Sequence, residues 1–380
     1  MKRILTVLLV LAMLISANAG LAEKADEPDV TVDLLEIDKH GNLELDVKGS
    51  YLLAAGFRCG DTVTVTIAGR EFDALAGSNY FDVAQGAYVL KISTLEDRDK
   101  ASLAINGANI TAVLKLAERD PENEDAWILA ADAEQPLSVR IVLKERGENV
   151  QALNYSKSRE DYPLLNDEQY ANFRVVATTG MGKNALYRSS SPIDDGINRG
   201  KEAAAALESR GIGCIINLTD SEESMKQQSL YADSAYSRTP VIALIAGMDM
   251  LSDGTKETVA SAVRFMLEND GPYLVHCTEG KDRTGFLCMM LESFMGAGCG
   301  EVAEDYMATY YNFYGVEPGT DRYNSILYNS FLVTLRRLFG EPELSVKQED
   351  LSPFARDYLL SCGLTEEELE SLKQKLGRDY

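Results

Sequence analysis

A cysteine and an arginine, separated by five residues, carry the most informative chemistry of this chain. Cys277 follows the apolar run Tyr273 to Val275, which predicts a buried strand, and Arg283 precedes a run that predicts a helix from Thr284. The free N–H groups and positive end of a helix favour a thiolate, and they also favour a bound phosphate. The intervening residues can turn their amides inward as an anion-binding nest, and a guanidinium can bind two phosphate oxygens at once. These parts suffice for covalent transfer of a phosphoryl group to sulfur.

The residues around this pair extend the pattern. His276 through Gly285 read His-Cys-x-x-Gly-x-x-Arg-Thr-Gly, between the predicted strand and the predicted helix. This string is similar to the phosphate-binding loop of the cysteine-dependent protein tyrosine phosphatase superfamily. Its Gly-Lys-Asp-Arg-Thr-Gly ending most resembles the bacterial branch of tyrosine and phosphoinositide phosphatases. The alternative is a buried structural cysteine that precedes an arginine by chance.

Two segments far upstream carry the same resemblance. Asn172-Phe173-Arg174 and the Leu-Tyr-Arg-Ser-Ser segment at 186–190 are similar to segments that open the catalytic domain in that branch. The match is partial, because Val175 and Val176 stand where acidic and glycine residues often follow Asn-Phe-Arg. The resemblance implies a catalytic domain that begins near residue 171.

The resemblance implies a cysteine-dependent phosphoric monoester hydrolase with a phosphocysteine intermediate. The Cys277 thiolate would attack phosphorus, and Arg283 with the loop amides would bind the three equatorial oxygens. Water would then cleave the phosphocysteine, so no metal and no other cofactor is expected. The residues expected to bind the substrate share this loop or the helical turn after it: Thr278, Glu279, Gly280, Lys281 and Thr284.

The leaving oxygen needs a proton, which a carboxylic acid must supply. Asp282 is the first candidate, because the myotubularin-like lipid phosphatases, which share Lys-Asp before the arginine, assign this role to the aspartate of the loop. A structural contact is the alternative for Asp282. Asp249 is the rival acid, in an upstream loop where relatives of the eukaryotic tyrosine phosphatases keep theirs. Asp220, at a predicted strand end, is a third candidate.

Two charged residues of the loop bear on the substrate. Lys281 favours a substrate with more than one phosphate, because phosphatases of phosphoinositides often place a lysine in this loop. The alternative is a lysine that only neutralises its acidic neighbours. Glu279 departs from the branch, where a small residue is usual, and its carboxylate would weaken the binding of a dianion unless Lys281 pairs with it.

The charge of the whole chain limits its partners. A formal net charge of −23 argues against nucleic acid and against anionic membrane surfaces as nonspecific partners. The same field opposes a phosphorylated substrate, so the site needs the local positive charge that Lys281 and Arg283 can supply. The chain has only two histidines, His40 and His276, which excludes a zinc site built from several histidines. We interpret His276 as a support of the loop rather than as a general base.

Residues 1–22 are typical of a secretory signal peptide. Lys2 and Arg3 precede the apolar run Ile4 to Ile15, and Ala17-Asn18-Ala19 supplies a small-residue cleavage site. We expect cleavage after Ala19 or Ala22 and a secreted protein. The apolar run is too short for an ordinary membrane span, and no later segment is long enough, so no membrane span is expected.

The spacing of apolar residues divides the chain into two domains. From 28 to 148, apolar and polar residues alternate, which predicts an all-β sandwich or barrel of roughly six to eight strands. Residues 149–170 are polar, contain a proline and predict a linker. From 171 to 380, strands alternate with helices, which predicts an α/β domain with a mainly parallel central sheet flanked by helices. Cys277 would lie at the carboxyl end of a strand, where such sheets bind ligands.

These observations favour a secreted phosphomonoester hydrolase that acts on phosphotyrosine, phosphoinositides or both, with a phosphorylated protein or a lipid headgroup as its substrate. An inositol polyphosphate phosphatase resembling bacterial cysteine phytases is the alternative, although this acidic chain lacks the basic cluster that such a pocket favours. A phospho-ligand-binding module with an inactive phosphatase fold is the alternative of another class. The joint presence of Cys277, Asp282 and Arg283 disfavours it.

Overall fold

The computed structural model describes residues 27–95, 98–130, 136–232, 234–247 and 249–380. The predicted signal peptide, residues 1–22, lies outside the described residues, so its assignment stays a prediction. The chain divides into two compact units, Met1–Ala152 and Leu153–Tyr380. In the described part of the chain, no helix is both long enough and apolar enough to cross a membrane.

Nine strands and two short helices make up the described part of the first unit. The strands are β1 (Asp29–Ile37), β2 (Leu43–Leu45), β3 (Thr62–Ile67), β4 (Arg70–Gly77), β5 (Tyr88–Leu95), β6 (Arg98–Ile105), β7 (Ala117–Asp120), β8 (Asn123–Leu129) and β9 (Ser138–Glu145). The helices are α1 (Gly49–Ala54) and α2 (Ile110–Val113). Seven strands close into a barrel in the order β1-β2-β6-β5-β4-β3-β9, while β7 and β8 form a separate pair.

The alternation of residue types accounts for this barrel. On β3, Val63, Val65 and Ile67 are at most 1% exposed, and the threonines between them are half-buried. Because successive side chains of a strand point to opposite faces, every second residue enters the core. Of the two all-β architectures that the sequence left open, the structure has the barrel.

A five-stranded sheet forms the centre of the second unit. Its strands are β10 (Arg174–Val175), β11 (Leu186–Ser189), β12 (Cys214–Asn217), β13 (Val241–Ala243) and β14 (Tyr273–His276). They lie in the order β10-β11-β14-β12-β13, and only the β10–β11 pair is antiparallel. The sheet is therefore mainly parallel, as the alternation of strands and helices predicts. Its parallel strands all end at one edge, where ligands bind in folds of this kind.

Eleven helices complete the described part of the second unit. They are α3 (Asp167–Tyr170), α4 (Gly200–Arg210), α5 (Glu222–Gln227), α6 (Ala235–Arg238), α7 (Asp253–Glu268), α8 (Asp282–Phe294), α9 (Cys299–Tyr314), α10 (Asp321–Ile326), α11 (Leu332–Phe339), α12 (Ser352–Ser361) and α13 (Glu366–Leu376). α8 is buried along its whole length from Thr284 onward. Thr365, with Glu368 three positions on, is the sequence pattern of a capping box, and the two residues do cap each other at the start of α13.

Three details differ from the sequence expectation. α8 begins at Asp282, two residues before the expected Thr284. The sequence over 321–338 predicts one helix, but in the structure a π turn at Leu327–Phe331 interrupts it. The segment 149–170, predicted as a linker, belongs to the second unit from Leu153 onward and contains α3. The polar composition of this segment does not reveal that a tyrosine anchors it. The Tyr162 hydroxyl donates to the backbone carbonyl of Phe313 at 3.1 Å.

Candidate active site

The loop with the predicted nucleophile, Cys277–Lys281, connects β14 to α8. β14 pairs with β11 on one side and β12 on the other, so the loop begins at the centre of the sheet's carboxyl edge. Cys277 is buried, with 3% of its surface exposed. Because α8 begins at Asp282, the free N–H groups and the positive end of that helix lie beside the loop.

Two buried side chains hold the backbone of the loop from behind. Asn172 Nδ2 donates to the carbonyl of Glu279 at 3.1 Å and to that of Gly280 at 3.3 Å. Arg188 Nη2 donates to the same Gly280 carbonyl at 2.9 Å. Both donors are at most 1% exposed, so water does not compete for these bonds. The two carbonyls are therefore fixed toward the protein interior.

The orientation of these carbonyls determines where the amides point. The Thr278 carbonyl is also held, because it accepts from the Ser191 N–H at 3.0 Å. In a trans peptide the N–H and C=O groups point in opposite directions, so the amides of residues 279–281 face away from their supports. Within the described residues, these three amides donate to no protein acceptor. They are available to a bound anion, in the manner of a backbone nest.

The tight curvature of the loop requires glycine at position 280. Gly280 has φ of +67°, in the left-handed region that disfavours residues with a Cβ. A Cβ at this position would lie 2.1 Å from the carbonyl oxygen of Ser189, on the neighbouring strand β11. The glycine of the sequence motif thus allows the loop to pass close to the sheet.

A buried ion-pair network fixes the supporting side chain of Arg188. Arg174 Nε donates to Asp305 Oδ1 at 2.7 Å, and Arg188 pairs with the other oxygen of the same carboxylate. Burial alone would raise the pKa of Asp305, but the two guanidinium groups outweigh it and lower that pKa. Burial, reinforced by the Asp305 charge, raises the pKa of Glu292 well above its ordinary value and so favours its neutral form. Arg188 is therefore held by a charged partner on α9.

The predicted phosphate ligand Arg283 lies over the start of the loop. Its Nη1 donates to the carbonyl of Leu218 at 3.2 Å, and its Nη2 donates to the Thr278 hydroxyl at 3.3 Å. The Thr278 hydroxyl also lies 3.1 Å from that of Thr219, at the end of β12. The guanidinium is thus anchored beside the residue that follows Cys277.

Thr284, the predicted donor to sulfur, is fully buried in the first turn of α8. Its hydroxyl has no hydrogen-bond partner within the described residues. The structure contains no hydrogen bond between this hydroxyl and the Cys277 sulfur. A buried hydroxyl costs free energy when it is unpaired, so Thr284 can readily take up the bond that the chemistry needs.

His276 is a buried support of the loop. Its Nε2 lies 2.8 Å from the Tyr236 hydroxyl, and its Nδ1 lies 3.4 Å from the carbonyl oxygen of Cys277. Burial lowers the pKa of His276 to about 4, so the ring is neutral near pH 7. These contacts fit the supporting role inferred from the sequence.

The candidate acids lie in different surroundings. Asp282 occupies the first turn of α8, is 44% exposed, and borders an apolar cleft together with Arg283 and Phe286. The carboxylate of Asp249 accepts from the Leu251 N–H at 3.2 Å and lies 3.7 Å from Arg337 on α11, while its neighbour Met250 lines the same cleft. The carboxylate of the third candidate, Asp220, already accepts bonds from three side chains: Asn217, Ser224 and Gln228. Asp282 is the candidate that lies next to Arg283, in the first turn of α8.

Lys281 does not extend freely from the loop. Its Nζ lies 3.2 Å from Glu279 Oε2, as an ion pair outside hydrogen-bond geometry, and 3.8 Å from Asp282 Oδ2. It also donates to the Tyr314 hydroxyl at 3.2 Å. Burial opposes the charged form, but Asp282, Tyr314 and Glu279 outweigh it and raise the pKa of Lys281 well above its ordinary value. The lysine is charged and occupied by its neighbours.

The loop and the first turn of α8 contain most of the predicted site residues, whereas Asp249 belongs to the segment before α7. Sequence reasoning assigned no role to the loop supports Asn172 and Arg188, or to Asp305. The signal for the first two was the pair of upstream segments similar to the phosphatase branch. In the described part of the chain, no group of three or more His, Cys, Asp or Glu side chains could hold a metal ion.

Three features together are those of a cysteine-based phosphatase: a buried cysteine at the centre of a mainly parallel sheet, a loop whose carbonyls are held toward the protein interior, and an anchored arginine. A family model described as "Tyrosine phosphatase family" matches residues 168–378, more than half of the chain. The chain belongs to the tyrosine phosphatase family.

Individual relatives are more distant. A tyrosine-protein phosphatase of Nostoc commune is 27% identical over 137 residues, which cover 30% of this chain. The chain spans 42% of the length of this relative.

Two solved structures show limited similarity. The core catalytic domain of the PP-IP phosphatase SIW14 from S. cerevisiae, in complex with citrate, has 17% identity and a TM-score of 0.27, covering 46% of this chain and 96% of that one. TpbA from P. aeruginosa, in complex with pTyr, has 16% identity and a TM-score of 0.27, covering 45% of this chain and 97% of that one. These scores are low, and the family assignment rests on the family model.

Proposed function

We propose that this protein hydrolyses phosphate monoesters through a phosphocysteine intermediate, with phosphotyrosine or phosphoinositides as substrates. The observation that carries the proposal is the loop backbone. Three carbonyls of residues 278–280 are bound on one side, which leaves the amides of residues 279–281 available on the other. Family membership and the buried Cys277 at the start of this loop support the same conclusion.

In the first step, the sulfur of Cys277 attacks phosphorus, and the bond from phosphorus to the leaving oxygen breaks. The amides of the loop and the guanidinium of Arg283 bind the equatorial oxygens while charge moves toward the leaving group. Asp282, in its acid form, gives the leaving oxygen a proton. The products are a phosphocysteine and a free alcohol or phenol.

In the second step, water attacks phosphorus, and the Asp282 carboxylate takes a proton from it. The bond from phosphorus to sulfur breaks, and Cys277 leaves as a thiolate. The first turn of α8 stabilises this anion through its free N–H groups. The Thr284 hydroxyl donates to the sulfur and eases its departure.

A Cys277→Ser variant tests the proposal. We expect it to bind inorganic phosphate, measured by titration calorimetry, because the amides and Arg283 are intact. We expect its turnover of a phosphotyrosine peptide to be lost, because a serine hydroxyl at this position is a far weaker nucleophile. Cys362→Ser is the matched control, since Cys362 is a half-buried thiol on the segment after α12.

The outcomes separate the classes of function. Retained turnover in Cys277→Ser would remove Cys277 from the nucleophile role and contradict the proposal. A wild-type protein that binds phosphate ligands but hydrolyses none would instead support the binding-module alternative. Rapid release of phosphate from phytate, with slow release from the peptide, would favour the phytase-like alternative.

A further inference from the structure

The mechanism proposed above gives no role to the residues that surround Lys281 in the loop. The side chain of Lys281 is 16% exposed, and Glu279, Asp282 and Tyr314 all lie within 4 Å of its Nζ. Glu279 is also held from outside the loop, because the Tyr155 hydroxyl donates to its Oε1 at 3.3 Å. We call these residues the Glu279 cluster: Tyr155, Glu279, Lys281, Asp282 and Tyr314.

The charges of the Glu279 cluster do not favour an anion. One ammonium group faces two carboxylates within 4 Å, so the cluster has a charge of −1 when Asp282 is ionised and 0 when Asp282 is in its acid form; in neither state does Lys281 add net positive charge beside the phosphate loop. Lys281 is the only cation between Cys277 and Arg283. A second phosphate on the substrate would therefore meet a lysine that is already neutralised and a carboxylate that repels it.

The surroundings of the cluster are aromatic rather than basic. The rings of Tyr155 and Tyr314 lie 6.0 Å apart, and Tyr155 packs edge-on against Phe313 at 5.3 Å. Tyr155 and Tyr314 are half-buried, and their hydroxyls contact Glu279 and Lys281. Aromatic neighbours of this kind suit a flat, uncharged leaving group better than a phosphorylated inositol ring.

We propose that Glu279 is a specificity-determining residue that excludes substrates with a second phosphate, and that the enzyme acts on monophosphorylated aryl esters of the phosphotyrosine type. This inference rests on the proposed function of the same site. Glu279 acts by holding Lys281 and by repelling an additional phosphate. Arg283 and the loop amides bind the single phosphate that remains.

The test compares two substrates across two variants of position 279. Glu279→Gln keeps the shape and the bond to Tyr155 but removes the charge, and Glu279→Ala supplies a small residue. The readout is the kcat/KM for a water-soluble phosphatidylinositol bisphosphate divided by that for a phosphotyrosine peptide. We expect both variants to raise this ratio by roughly tenfold or more, because one like charge beside a partly buried dianion is removed.

Two further variants show which group causes the rise in the kcat/KM ratio. Glu304→Gln is the matched control, since it makes the same change of net charge at an exposed position of α9 and should leave the ratio unchanged. Adding Lys281→Met to Glu279→Ala should cancel most of the gain, because the freed ammonium group would no longer meet the second phosphate.

The possible failures are distinguishable. If the wild-type enzyme hydrolyses the bisphosphate as readily as the peptide, or if both Glu279 variants leave the ratio unchanged, Glu279 does not select the substrate. The proposed phosphocysteine chemistry would stand in either case. If Cys277→Ser retains turnover of both substrates, the chemistry itself fails.

Discussion

At the scale of single residues, the choice of the general acid depends on the position of each candidate carboxylate. Asp282 follows the loop directly and lies in the first turn of α8, next to Arg283. The Asp249 carboxylate lies 3.7 Å from Arg337 on α11, while the adjacent Met250 lines the cleft beside Arg283. A general acid must come within hydrogen-bond reach of the leaving oxygen, and we infer this role for Asp282 from its place next to Arg283.

We therefore expect Asp282→Asn to lower kcat for a phosphotyrosine peptide by about 100-fold, within the range that general acid catalysis contributes. The loss should be smaller for p-nitrophenyl phosphate, because its leaving group is stable without a proton. Steady-state kinetics on both substrates measure the difference. Asp249→Asn is the comparison and should leave both rates unchanged; the opposite pattern would assign the acid to Asp249.

At the scale of secondary structure elements, the site depends on supports from β11, α9 and the segment before β10. Arg188 on β11 reaches the Gly280 carbonyl, and Asp305 on α9 holds Arg188 in place. Asn172 precedes β10 and bonds to two carbonyls of the loop. These bonds orient the amides before any ligand arrives, and preorganised donors are worth more in catalysis than donors that must first reorient.

Asn172→Gly removes one of these supports without straining the backbone, because Asn172 already has φ of +53°. Loss of its hydrogen bonds should cost the loop about 1–3 kcal/mol. We expect kcat/KM to fall by roughly ten- to a hundredfold and the affinity for inorganic phosphate to fall with it. Ser158→Gly, in the turn before Arg159, serves as a control for the glycine substitution itself. An unchanged phosphate affinity in Asn172→Gly would contradict the positioning role.

At the scale of the whole molecule, burial determines the protonation of groups behind the site. The chain is strongly acidic, with a formal net charge of −23. Even so, burial in the core of its second unit favours the neutral forms of Glu292 and His276. His276 lies at the end of the central strand and is 0% exposed. Its protonation would place a charge in this core, which the fold resists.

The folded protein should therefore lose stability in acid through His276. Burial lowers the pKa of His276 to about 4 in the folded state, whereas an unfolded histidine has a pKa of 6.5. Between these values only the unfolded chain binds the proton, so the free energy of unfolding falls as the pH falls from 6.5 to 4. The expected loss from this residue is about 3 kcal/mol.

Calorimetric unfolding across this pH range measures the effect. His276→Gln should lose less stability than the wild type between pH 6.5 and 4, whatever its stability at pH 7. His40→Gln is the control, because His40 is the other histidine of the chain and is exposed. Equal pH dependence in His276→Gln and the wild type would show that the ring titrates normally in the folded protein.

The structural features that the sequence predicted depend on residues close together in the chain. The strand before Cys277 and the helix after the loop both follow from residues that are close in the chain. The supports could not be predicted in this way, because Asn172, Arg188 and Asp305 are separated by up to 133 residues and meet only through packing of the sheet against α9.

The role of Lys281 toward the substrate could not be predicted for the same reason. The sequence left open whether Lys281 would meet a second phosphate or neutralise its neighbours. The answer depends on Tyr155 and Tyr314, whose hydroxyls reach Glu279 and Lys281 from distant parts of the chain. Neither tyrosine carries a local signal that would identify it as a partner of the loop.

The central claim is that the phosphoryl group passes through the sulfur of Cys277. Rapid acid quench of the enzyme with a phosphotyrosine peptide, followed by mass spectrometry of the intact and digested protein, tests it directly. We expect one added phosphoryl group in the first turnover, located on Cys277 and absent from the Cys277→Ser variant. A phosphoryl group on any other residue, or burst-free turnover with inversion of configuration at phosphorus, would contradict the account.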